Sequence, residues 1–133
     1  MRLALRDGRP IGGDGVTEQK AVVEKYTDGF RRGDLAQILS CLTDDAVWAL
    51  HGAKTLVGKD AFAAEADRGG GLNPELTLDR LVEEGDTVAV FGHGSVSLGG
   101  DPHDFVYSEM CTVADGLVSR LDTFHIWLGE VPA

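Results

Sequence analysis

Basic charge is scarce in this chain: 12 lysines and arginines stand against 22 acidic side chains, a formal net charge of −10 over 133 residues. That excess repels phosphate backbones and anionic membrane surfaces, so neither nucleic acid nor a membrane is expected as a partner. Cysteine is scarce too. Cys41 and Cys111 lie within apolar segments and in no metal-type spacing, which excludes a disulfide framework and suits reduced thiols in a cytoplasm. The four histidines do not cluster, so no metal is expected. Gly92-His93-Gly94 opens no helix and has no lysine beside it, which removes the phosphate loop and with it a nucleotide cofactor. Ser95, Ser97 and Ser108 sit in strand-like runs without a nucleophile elbow. Met1 to Arg6 carries cations but no continuous apolar run, unlike a signal peptide or a membrane span.

What is present suits one domain with one core, since a chain of this length can bury about two thirds of its unfolded surface. Residues 1–15 hold five glycines and prolines among charges, a composition expected to form a flexible tail ahead of a domain at 16–133. Thr17 and Glu18 suit a helix start. Val22, Tyr26 and Phe30 then recur every fourth residue with Val23 beside them, so one helix face, Tyr26 included, points to a core. Gly33 stops that helix after Arg31 and Arg32. Asp34 caps a second helix with Gln37 in capping-box position, and Leu35, Ile38, Leu39 and Leu42 form its buried side. Thr43, Asp44 and Asp45 read as a turn into a strand at Ala46, Val47 and Trp48, and His51 to Lys54 as a loop. An alanine-rich helix follows from about Lys59 to Asp67, anchored by Phe62, and Gly69, Gly70 and Gly71 read as a hinge.

From Leu76 onward the period is two. Turn signals at Glu84 to Asp86, Gly99 to Pro102 and Ala114 to Gly116 divide the remainder into strands at about 76–83, 87–97, 103–113 and 117–128, an antiparallel meander. Two of these exceed the usual five or six residues, which implies a strongly curved sheet, with Gly92 and Gly94 at the bend. In the last strand, alternation places Val118, Arg120, Asp122, Phe124 and Ile126 on an outer face and Leu121, Thr123, His125 and Trp127 on the inner one. Phe124 and Ile126 beside an ion pair suggest a homodimer contact.

Gly33-Asp34-Leu35, Asp44-Asp45-Ala46-Val47-Trp48 and Asp115-Gly116-Leu117-Val118 together make the chain resemble, from about Val16 to Leu128, the SnoaL-like and ketosteroid-isomerase-like group of the nuclear-transport-factor-2-like superfamily. The resemblance implies an α+β cone, with N-terminal helices packed in a curved antiparallel sheet around a small-molecule pocket. Its members include isomerases, polyketide cyclases, epoxide hydrolases and proteins without known catalysis. It also implies that Tyr26 stands where ketosteroid isomerases place an oxyanion-binding tyrosine, and Glu109 where they place a protonated aspartic acid. Their base would fall at Leu50, which cannot take a proton. Thr123 stands where cyclases and epoxide hydrolases draw an acid.

The expected catalytic set is therefore Tyr26, Glu109 and His125, the last as replacement base because a histidine pKa near ~6.5 needs little tuning. Trp48, Leu50, His51, Tyr107, Thr123 and Trp127 are expected to bind the ligand, an apolar molecule bearing a carbonyl, with no cofactor. Each catalytic candidate has a second reading. Tyr26 is either a pocket donor or a core tyrosine, Glu109 either faces the cavity or turns outward in a slipped register, and His125 either faces the pocket or is satisfied by a backbone carbonyl.

Overall fold

Thr17 starts the first helix as its residue type predicts. Its hydroxyl oxygen accepts from the Lys20 amide at 3.1 Å, and α1 runs Glu18–Arg32. The computed structural model describes residues 17–67 and 74–129; the expected tail at 1–15 and the expected hinge at Gly69, Gly70 and Gly71 lie outside them. Val23, Tyr26 and Phe30 are buried along one face of α1, and Gly33 ends it at φ 66°, a left-handed conformation that glycine adopts without a Cβ penalty. α2 (Leu35–Ser40) follows, its N-terminus capped by Asp34 Oδ1 accepting from the Gln37 amide at 3.0 Å. The expected capping box is only half made. Gln37 turns its side chain to the Lys25 carbonyl and to Asp28, because the Asp34 N–H that it would have reached already donates to the Gly29 carbonyl at 2.8 Å.

The chain enters its first strand earlier than expected. β1 spans Leu42–Leu50, so Leu42 is a buried strand residue rather than the end of a helix. Leu42 pairs with Val118 and Val47 with Arg120, five steps of one strand against two of the other, so Thr43, Asp44 and Asp45 bulge out of the ladder instead of forming a turn before it. A strand the loop-like composition concealed, β2 (Lys54–Val57), returns antiparallel against β1. α3 (Lys59–Asp67) lies as expected, with Phe62 fully buried.

β3 (Glu75–Glu84), β4 (Thr87–Leu98), β5 (Asp101–Ala114) and β6 (Leu117–Trp127) form the antiparallel meander. The sheet order is β2-β1-β6-β5-β4-β3, and β1 runs parallel to β6, so the sheet is mixed rather than wholly antiparallel. Curvature has a local cause. Asp79 is an extra residue in β3 opposite the Phe91–Gly92 step of β4, and a Cβ on Gly92 would come within 2.6 Å of the Thr77 carbonyl and 2.7 Å of the Tyr107 ring. A second bulge, at Ser119, shifts the pairing from Thr112–Arg120 to Val113–Val118. It flips Val118 into the core, where it is fully buried, so Val118 does not share the outer face of Arg120 and Asp122 as plain alternation implied. The helices pack into the sheet through one core that includes Tyr26, Ile38, Trp48, Phe62, Val90 and Leu121. Among the described residues, no helix is long and apolar enough to cross a membrane.

Candidate functional site

α1, β1, β5 and β6 converge on a cavity of about 390 Å³. Alternation on β5 aims Phe105, Tyr107 and Glu109 into it, and the paired register of β6 adds Thr123, His125 and Trp127 opposite them. β1 contributes Trp48 and Leu50, α1 contributes Tyr26. Eight of the nine sequence-predicted site residues thus line one space. His51 does not: it stands on the outer face, its ring stacked on Phe124 at 4.4 Å and its Nε2 2.9 Å from Asp122 Oδ1. The loop-like run that carries it turns away from the cavity before β2.

Glu109 is the buried acid of the lining. It is 6% exposed, and loss of water pushes its carboxyl up to about 7, a rise restrained by the Thr123 hydroxyl, which donates to Oε2 at 2.6 Å. Thr123 in turn accepts from the Trp48 indole N–H at 2.9 Å. Among the described residues, the buried side-chain nitrogens and oxygens that lack a partner reduce to Thr43 Oγ1. Glu109 Oε1 and the Tyr26 hydroxyl carry no hydrogen bond to protein, so both open on the cavity. Tyr26 is 3% exposed, and burial, then the nearby Glu109 charge, raises its pKa well above the usual phenol value. Tyr107 rises for the same two reasons. Both phenols stay protonated at neutral pH and can donate.

His125 sits at the mouth, open to solvent on one side, with its ring 4.4 Å from both Phe105 and Trp127. Partial desolvation lowers its pKa below the usual histidine value, so the ring is mostly neutral at pH 7 and able to accept a proton. Leu50, where the isomerase base would fall, lines the wall as an apolar residue. Sequence reasoning missed Phe30, Phe105, Leu76 and Val96 in the lining. Phe105 was findable, since it precedes Tyr107 and Glu109 at the strand period; Leu76 and Val96 come close only through the curvature of β3 and β4. Among the described residues, the lining carries two acids, Glu109 and Glu65, and neither lysine nor arginine, and Glu65 is ion-paired with Lys54 at 3.0 Å. Among the described residues, no group of three or more histidine, cysteine or acidic side chains is arranged to hold a metal.

Comparison with known proteins agrees with this architecture. The sequence model of the SnoaL-like domain matches residues 23–121. A candidate ketosteroid isomerase from Kribbella flavida DSM 17836 superposes with a TM-score of 0.71 at 25% identity, covering 87% of this chain and 83% of its own. An LEH-like epoxide hydrolase from M. tuberculosis gives 0.73 at 18% identity, covering 83% and 84%, and TerC co-crystallised with polyporic acid gives 0.69 at 23%, covering 81% and 91%. The last two likenesses show the fold alone. No protein of curated function is significantly similar in sequence.

Proposed function

Because this chain belongs to the SnoaL-like family, we propose that it is a cofactor-independent enzyme that moves a proton on a small apolar molecule bearing a carbonyl, in the manner of an isomerase or cyclase. One observation carries the reading: a mostly apolar cavity with an open mouth presents two unpartnered oxygens, Tyr26 Oη and Glu109 Oε1, and a neutral imidazole. His125 takes a proton from the carbon next to the carbonyl. The electron pair left behind moves onto the carbonyl oxygen, where Tyr26 and neutral Glu109 donate hydrogen bonds to the growing negative charge. His125 then gives its proton to another carbon of the conjugated enolate, which completes an isomerisation, or the enolate carbon attacks a second carbonyl of the same molecule and His125 gives its proton to the new alkoxide, which closes a ring. An apolar, uncharged substrate suits a lining that holds no cation among the described residues. The protein acts as a homodimer in the cytoplasm, joined through the outer sheet face.

The presence of Leu50 at the isomerase base position favours a second reading, a dimeric binding protein that orients the same ligand without chemistry. Deuterium exchange separates the two. With 2-tetralone in D₂O, followed by NMR, the wild type should accelerate exchange at the carbons beside the carbonyl. His125→Ala should lose ~10²–10⁴ of that acceleration, and Tyr26→Phe or Glu109→Gln ~10²–10³. Binding of the ketone without accelerated exchange would leave the binding protein.

A further inference from the structure

The hydrogen bonds behind Glu109 run in one direction, and the direction has consequences. An indole N–H can only donate, so Trp48 occupies a lone pair of Thr123 Oγ1 at 2.9 Å. The Thr123 hydroxyl hydrogen is then directed to Glu109 Oε2 at 2.6 Å. In a neutral carboxyl group the carbonyl oxygen is the better acceptor, so an oxygen that already receives a hydroxyl hydrogen is the one without the acid proton. We propose that Trp48 is a positioning residue that acts through Thr123 to hold the acid proton of Glu109 on Oε1, the oxygen that opens on the cavity. This rests on the reading of Glu109 as the donor to a ligand oxygen, and it assigns Trp48 a role other than lining the wall.

The surroundings leave the relay its direction. Trp48 is clamped by the Phe62 ring, stacked at 4.2 Å, and by the Phe30 ring at 6.1 Å, so its N–H has little freedom to turn elsewhere. β1 and β6 pair in parallel with Trp48 opposite Leu121 and Leu50 opposite Thr123, a register that brings the indole to a hydroxyl on the neighbouring strand. Without Trp48, Thr123 Oγ1 could accept from a protonated Oε2 instead, and the acid proton would spend part of its time pointing away from the ligand. Polarisation along the chain also strengthens the Thr123 donor, since successive hydrogen bonds reinforce one another.

Two measurements test it. The first follows the Trp48 indole N–H by ¹⁵N NMR from pH 5 to 9. Among the described residues, the titratable groups that share the cavity with Glu109 or act on it are Tyr26 on α1, Glu65 on α3 with its partner Lys54, Tyr107 and Cys111 on its own strand, and His125 on β6. Burial holds the two phenols and the thiol protonated through this range, and the His125 transition persists in Glu109→Gln, which identifies it. The Trp48 signal should move with the Glu109 transition, and should be flat in Glu109→Gln and in Thr123→Val, while Thr123→Ser restores the movement. The second measures affinity for 4-nitrophenol. Trp48→Phe and Thr123→Val should each weaken it about three- to tenfold, and the double variant should be no weaker than the worse single one, because both break the same chain. Thr123→Ser should bind as the wild type does.

A Trp48 indole signal that ignores the Glu109 transition, or additive losses in the double variant, would overturn the relay. The failure of the underlying site reading looks different: there Glu109→Gln binds 4-nitrophenol as well as the wild type does, whatever the indole reports.

Discussion

The inner and outer faces of β4, β5 and β6 are made of alternating residues of the same strands, and they break opposite rules. Inside, a carboxyl group lies among Tyr107, Cys111 and Leu121, where an ionised acid is costly to keep. Outside, Phe91, Phe124 and Ile126 are 54%, 43% and 60% exposed, with Met110 two residues along β5 from Ser108, the partner of both Phe91 and Phe124. The single acid inside is tolerated because it can stay protonated and because Thr123 satisfies one oxygen. Of the apolar side chains outside, Phe124 is covered in part by the His51 ring stacked on it at 4.4 Å, and only a covering surface would remove the rest of the patch from water. The difference teaches how one sheet can carry two unlike surfaces: the period of two separates them, so the cavity lining and the exposed apolar patch share no side chain.

Breaking the outer face should have the largest effect. Phe124→Asp places a charge at the centre of the apolar patch, and sedimentation at micromolar protein should find 28 kDa falling to the 14.2 kDa of one chain. A monomeric wild type would remove the homodimer. The inner face is probed by pH. The Glu109 carboxyl sits at about 7 when folded against an ordinary 4.5. Below 4.5 both states hold the proton; between 4.5 and 7 the unfolded chain sheds a proton that the folded one keeps, so stability falls as pH rises and levels off above 7. The full decline is ~3 kcal/mol, measurable by urea denaturation across that range. Glu109→Gln should flatten it without changing the oligomer. An equally steep decline in that variant would place its cause elsewhere.

Gly92→Ala tests the bend between the faces. The added Cβ meets the Thr77 carbonyl and the Tyr107 ring, so β3 and β4 must separate, at a cost of ~1–3 kcal/mol, with ketone binding reduced because Tyr107 is displaced. A neutral substitution would show that the bulge at Asp79 alone sets the curvature. Thr17→Ala touches neither face. It should cost ~1 kcal/mol through loss of the helix cap while leaving both the sedimentation and the pH profile as they were, which makes it the control for the other three.

Much of the candidate site was legible because its residues obey simple periods. Tyr26 faces inward by the helical spacing it shares with Phe30, and Thr123, His125 and Trp127 by strand alternation, whereas Glu109 was reached through the family resemblance with its facing left open. His51 was misplaced because a polar run between a strand and a helix has no period, and nothing local reveals that β2 folds back there. Val118 was misplaced for a related reason: a bulge inserts one residue, and every side chain beyond it changes face. The relay from Trp48 to Glu109 joins positions 75 and 14 residues apart in the chain, so no spacing could announce it.

By itself the sequence determined the helices, the caps at Thr17, Gly33 and Asp34, the long strands and the turns between them, since each depends on neighbours a few residues away. Tertiary structure alone decided that β1 joins β6 in parallel, that bulges at Asp79 and Ser119 bend and re-aim the strands, and that Trp48 reaches Thr123. Those outcomes depend on which strand lies beside which, a choice made by burying the whole core at once rather than by any local preference.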